Sequence, residues 1–205
     1  MEISIIGCGG NSKVVIDICR MNGYIIKGLY DDRYPDIKVG YRGYKVLGNV
    51  MDVDNKGYVI NSIGDEKTRE EIYYKLEDNG IKWMNCIHPY SYIEDTCEIG
   101  YGNIICNGVI INGNSKIGNF NLVNTNVIIE HDCYVGNFNN ISPRCTICGE
   151  CYIGNYNMIG VGANIIQSIM IGDDIVVGAG GVVINELVDS GTYVGIPCKK
   201  IKYIN

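Results

Sequence analysis

His131 stands between two carboxylates in Ile129-Glu130-His131-Asp132-Cys133, and it is one of only two histidines in 205 residues. A carboxylate bonded to one ring nitrogen fixes the tautomer of an imidazole and raises the basicity of the other nitrogen. That makes His131, with Asp132 and Glu130, a candidate general base for taking a proton from an attacking amine or hydroxyl. The bland alternative is an exposed histidine in a charged loop. His88 precedes Pro89 and reads as a structural group at a fixed turn.

A second group of residues suits phosphate. Gly7-Cys8-Gly9-Gly10-Asn11-Ser12 is a glycine-rich turn whose N–H groups would face whatever lies over a helix start, and Asp31-Asp32 end the next strand, where acids can bind ribose hydroxyls. The reading is a nucleotide site; the competing one is a tight turn and nothing more. Gly7-x-Gly9-x-x-Ser12 lacks the third glycine of the dinucleotide fingerprint. Some ~80 residues supply about one mononucleotide half, so a mononucleotide or nucleotide-sugar fits better than NAD, and a nicotinamide oxidoreductase is disfavoured.

The elements that must position these groups differ along the chain. Ile3–Ile6 reads as a strand, Lys13–Arg20 as a helix with Ser12 as N-cap, 24–30 and 57–62 as strands, and Asp65 opens a helix with acids in its first turn. Residues 1–82 are thereby expected to form a small α/β, Rossmann-like domain with a parallel sheet. From Ile93 to Val183 every sixth residue is Ile or Val, and Ile/Val-Gly pairs recur every eighteen residues from Ile99-Gly100 to Ile171-Gly172. A period of six fits neither an amphipathic helix nor a hairpin sheet. It fits a parallel β-helix of 18-residue coils, with one branched side chain pointing inward from each of three faces. Asn103, Asn121, Asn139 and Asn157 fall at equivalent corners, where their amides can bond along the axis. This second domain, with a C-terminal tail, takes residues 83–205.

Ten cysteines raise the question of zinc, above all in Cys145-x-x-Cys148-x-x-Cys151. The repeat argues for packing instead, because Cys97, Cys133, Cys145 and Cys151 each follow an inward residue by four positions, a slot for a small buried side chain. No metal site is expected. The net charge of −6 speaks against nucleic acid and anionic membrane as partners. No apolar run reaches about eighteen residues, and Met1-Glu2-Ile3-Ser4 reads as the start of a strand rather than a signal peptide, so the expectation is a cytoplasmic protein without membrane insertion.

The hexapeptide run, the His131 segment, Gly160-Val161-Gly162-Ala163-Asn164, Gly178-Ala179-Gly180-Gly181 and Val194-Gly195-Ile196-Pro197 resemble left-handed β-helix acyltransferases. The βα start followed by Ile87-His88-Pro89 resembles more closely the sugar acetyltransferases with an N-terminal nucleotide-sugar domain: the bacillosamine-pathway and perosamine N-acetyltransferases and the sialic acid O-acetyltransferase relatives. The resemblance implies a homotrimer with acetyl-CoA between neighbouring β-helices, and a nucleotide-linked amino sugar as acceptor. By that resemblance His131 is the catalytic base and Asp132 the acid that raises its basicity. Gly10, Asn11, Ser12, Asp31, Asp32 and Gly64 match acceptor contacts, and Val161 and Ala179 match coenzyme contacts. Asn140 replaces a second histidine of many relatives, and Asn11 a histidine in the glycine turn. N-acetylation of a UDP-linked 4-amino-6-deoxy sugar is the leading reading. Sugar O-acetylation of the sialic acid type is the runner-up, and a non-catalytic trimeric nucleotide-sensing scaffold is the alternative of another class.

Overall fold

The computed structural model describes residues 1–37 and 40–201. It divides into two compact units, one of Met1–Pro89 with Tyr101–Ile104, the other of Tyr90–Gly100 with the chain from Ile105 onward. Among the described residues no helix is long and apolar enough to cross a membrane.

The first unit runs β1 (Glu2–Ile6), α1 (Gly10–Met21), β2 (Ile25–Tyr30), β3 (Val46–Gly48), β4 (Tyr58–Asn61), α2 (Glu66–Leu76) and β5 (Lys82–Trp83). Its sheet is parallel throughout, in the order β3-β2-β1-β4-β5. Ile3, Ile5 and Ile6 are all buried because a central parallel strand has no solvent face. Val15, Ile16, Ile18 and Cys19 form the buried stripe of α1; Arg69, Ile72 and Leu76 form that of α2. The strand order reverses between β1 and β4, so the loops after these two strands flank the crevice where α/β sheets bind ligands.

α1 begins three residues earlier than its composition suggests. Gly9, not Ser12, is the N-cap, and Ser12 sits at the third helical position, where its Oγ accepts the Gly9 N–H at 3.1 Å. α2 starts as expected: Asp65 caps it by accepting the Thr68 N–H at 2.8 Å.

The second unit is a left-handed parallel β-helix. Most of its strands are two residues long and recur every six, and each pairs in parallel with the strand eighteen residues on, as Ile110-Ile111 does with Ile128-Ile129. Ile111, Ile129, Ile147 and Ile165 on one face, Val135, Ile153 and Ile171 on the next, and Val123, Ile141, Ile159 and Val177 on the third are wholly buried. Each such side chain contributes roughly 1.5–3 kcal/mol. Ile93 and Ile99, in the first coil, are half-buried. An antiparallel pair, Gly191–Val194 with Lys199–Lys200, closes the far end.

Every sixth residue from Gly108 to Gly180 is left-handed, with φ between 54° and 70°. Most of these corners are not glycine, and each such corner costs roughly 1–2 kcal/mol. The inward residue beside it offsets that cost. Phe120, Phe138 and Tyr156 occupy the equivalent corner of successive coils and stack, with centroids 5.2 and 5.7 Å apart.

The slot four residues after an inward position holds either an apolar residue, such as Val109, Val127 or Ala163, or an Asn, Cys or Ser, and the latter donate to the carbonyl fifteen residues on. Asn121, Asn139 and Asn157 reach Gly136, Gly154 and Gly172; Cys97, Cys133, Cys145 and Cys151 reach Asn112, Cys148, Gly160 and Ile166; Ser115 reaches Glu130. The asparagine ladder is present, with the Asn139 amide donating to Asn121 Oδ1 at 3.1 Å. Its side-chain oxygens also accept main-chain N–H groups of the next coil. A second ladder runs the other way through Asn119, Asn137 and Asn155 and ends on the Asp173 carboxylate.

Candidate functional site

His131 lies on a corner column of the β-helix, with Gly113 one coil before it and Gly149 one coil after. Its side chain is 58% exposed, and Nδ1 is 2.8 Å from Asp132 Oδ2. An ionised carboxylate only accepts, so Nδ1 carries the proton and Nε2 keeps its lone pair. Asp132 occupies one of the left-handed corners (φ 58°), and Asn114 of the previous coil donates to its other oxygen at 3.2 Å. The Asp132 hydrogen bond, reinforced by the charges of Asp132, Glu130 and Glu150, lifts the imidazole above its ordinary 6.5. The same bond, with that of Asn114, holds the Asp132 carboxyl below the usual range. Glu130 is turned away to accept from the Asn112 amide at 2.8 Å, so it acts on the imidazole only through its charge.

The imidazole lies against Gly149. A Cβ built at residue 149 would come within 2.7 Å of Cε1 and 2.8 Å of Nε2. Gly149 has no left-handed φ, so space, rather than backbone freedom, is what requires glycine there.

Val161 and Ala179 are exposed and stacked one coil apart on another corner, where the Gly180 N–H donates to the Val161 carbonyl at 2.8 Å. Asn140 is only 8% exposed, which leaves little of its amide facing out.

In the first unit the two loops at the strand-order reversal are pinned together. Ser12 and Ser62 hydroxyls are 2.7 Å apart, Ser62 donates to Ile6, and the Asn11 amide donates to the Ser62 carbonyl at 3.0 Å. Ser12 is wholly buried, so its part is to hold the turn, while Gly9 and Gly10 present bare backbone outward. Gly7 makes the turn possible with φ 98°. Buried Arg69 of α2, its guanidinium pulled down to about 10 by burial, donates to the Ile63 and Gly64 carbonyls and fixes that loop. Asp31 is bonded to Cys8 and Arg33, and Asp32 accepts the Val50 N–H at 3.0 Å. His88 is buried in this unit.

Residues 2–76 match the PglD N-terminal domain. Over the whole chain the fold is similar to a mutant of perosamine N-acetyltransferase from Caulobacter crescentus, solved in complex with CoA and GDP-perosamine: 31% identity, 98% of this chain and 97% of that one, TM-score 0.90. The chain belongs to the left-handed β-helix sugar acetyltransferases. It is also similar to the acetyltransferase domain of PglB from Neisseria gonorrhoeae in complex with acetyl coenzyme A (27% identity, 98% of each chain, TM-score 0.92). WeeI from Acinetobacter baumannii is 26% identical, over 98% of this chain and 100% of that one, with TM-score 0.89. An uncharacterized protein of Acanthamoeba polyphaga mimivirus is 37% identical over 109 residues, which are 51% of this chain and only 21% of that curated relative.

Two residues of this sugar acetyltransferase escape a reading by motif. Gly149 becomes visible only when the 18-residue coil is laid from His131, since 149 − 131 = 18. Arg33 carries no sequence signal: its pairing with Asp31, two residues before it, follows from how the loop after β2 folds back toward Cys8.

Proposed function

We propose that this chain transfers an acetyl group from acetyl-CoA to the amino group of a nucleotide-linked sugar, with a UDP-linked 4-amino-6-deoxy sugar as the first candidate. The observation that carries the reading is the exposed His131 bonded through Nδ1 to Asp132, with Nε2 free to act as base. The amine attacks the thioester carbonyl carbon while Nε2 takes its proton; the C–S bond breaks, and the proton passes to the departing CoA sulfur. No covalent enzyme intermediate is needed. Backbone N–H groups at the groove stabilise the oxyanion.

Gly10, Asn11, Ser12, Asp31, Asp32 and Gly64 belong, on this reading, to the nucleotide-sugar site of the first unit, with Ser12 acting by holding the turn. Asn140, Val161 and Ala179 belong to the coenzyme site. Val161 and Ala179 share a column with Pro143, which lies twelve residues along the coil from His131 and so on a different edge of the three-sided coil. A coenzyme meeting both columns at once is most simply bound between two copies, which supports a homotrimer. The GDP-perosamine and acetyl coenzyme A in the related structures support the substrate classes.

The test is release of CoA thiol from acetyl-CoA in the presence of UDP- and GDP-linked amino sugars and free sialic acid. His131→Ala is expected to lower kcat about 10²–10⁴-fold while the protein stays folded. Wild-type turnover in that variant removes the base; turnover with free sialic acid alone replaces N-acetylation by O-acetylation.

A further inference from the structure

Asp31 has no acceptor site left for a ligand. Its carboxylate takes the Cys8 N–H at 2.8 Å, the Arg33 N–H at 3.0 Å, Arg33 Nε at 2.8 Å and Arg33 Nη2 at 2.9 Å, which together occupy about four lone-pair directions. Arg33 Nη2 also donates to the Cys8 carbonyl at 3.2 Å. The guanidinium is therefore clamped in one plane by a carboxylate that is 10% exposed, although its own side chain is 59% exposed. Its remaining nitrogen, Nη1, donates to nothing among the described residues.

That unspent pair of N–H groups lies beside the glycine turn. Cys8, which Arg33 holds, is followed by Gly9 and Gly10, bare and exposed at the start of the 12-residue α1. The other polar groups close by are engaged: Asp32 with the Val50 N–H, Tyr41 with the Gly9 carbonyl. A guanidinium already fixed in orientation loses little freedom on binding, and its donor pair matches two phosphate oxygens.

We infer that Arg33, positioned by Asp31, binds the diphosphate of the nucleotide-linked substrate through Nη1, and that Asp31 serves by holding this guanidinium rather than by touching ribose. The inference rests on the nucleotide-sugar reading of the first unit and adds to it the residue that recognises the charge.

Calorimetry on the full chain tests it, with UDP, GDP, uridine and guanosine as probes. Arg33→Gln is expected to weaken the preferred diphosphate about 10–100-fold and the matching nucleoside by less than about threefold. Because that variant leaves the Asp31 carboxylate poorly paired, Arg33→Lys is measured beside it; it keeps the charge, cannot bridge Asp31 and the ligand together, and is expected to show the same selective loss. Far-UV circular dichroism and melting temperature verify the fold. Equal losses for nucleoside and diphosphate in a folded variant, or no loss for either, overturn the assignment of Arg33. A wild-type chain that binds none of the four probes instead removes the nucleotide reading itself.

Discussion

The imidazole of His131 rests on Gly149, one coil further along, so closely that a methyl group there would come within 2.7 Å of the ring. Gly149→Ala is expected to push the ring from its seat while leaving the inward residues untouched. Displacement by about an ångström lowers kcat roughly 10–100-fold, with a melting temperature within a few degrees of wild type. Unchanged kcat in steady-state assays would show that the ring position does not matter; a collapsed melting curve would show that Gly149 serves the fold.

Asp132 governs the pH dependence. Its hydrogen bond raises the imidazole above 6.5, so the basic form needed for catalysis is lost as pH falls through that raised value. In Asp132→Asn the imidazole returns toward its ordinary value. The acid limb of kcat/KM against pH is then expected to move to lower pH, while the plateau drops by about tenfold or more, because the tautomer is no longer held. A limb that stays in place, or moves up, contradicts this assignment.

The donor slot predicts a contrast between two buried residues. Asn139→Ala strands the Asn157 N–H and the Gly154 carbonyl and is expected to cost about 2–4 kcal/mol by denaturant unfolding. Cys145→Ser keeps a donor for the Gly160 carbonyl, as Ser115 does for Glu130, and is expected to stay within about 1 kcal/mol. Similar losses in both would refute the slot rule.

The β-helix was legible because its physics repeats: each face needs one branched apolar side chain inward, and Ile93 through Val183 supply it at every step. Cys97, Cys133, Cys145 and Cys151 were legible for the same reason, since they share a slot with the asparagines. β3 and β5 were not, because two- or three-residue edge strands such as Lys82-Trp83 take their shape from the neighbours they pair with rather than from their own pattern. The start of α1 was hidden by Gly9-Gly10, poor helix formers that are held by Ser12 accepting the Gly9 N–H. At the site, His131 with Asp132 could be read from adjacency, whereas the turn of Glu130 toward Asn112 and the spending of Asp31 on Arg33 depend on partners far along the chain or on loop geometry.

The bonds that tie one coil to the next join residues at fixed intervals: eighteen or fifteen for the asparagine side chains, as Asn139 with Asn157 and Gly154, and seventeen or nineteen for the main chain, as Ile128 with Cys145 and Asp132 with Gly113. The rod is thus built like a screw thread. Adding or removing one complete revolution away from His131 shifts everything beyond it by one pitch and leaves each local partner in place, so the length of the rod is free to drift while the reacting corner stays the same.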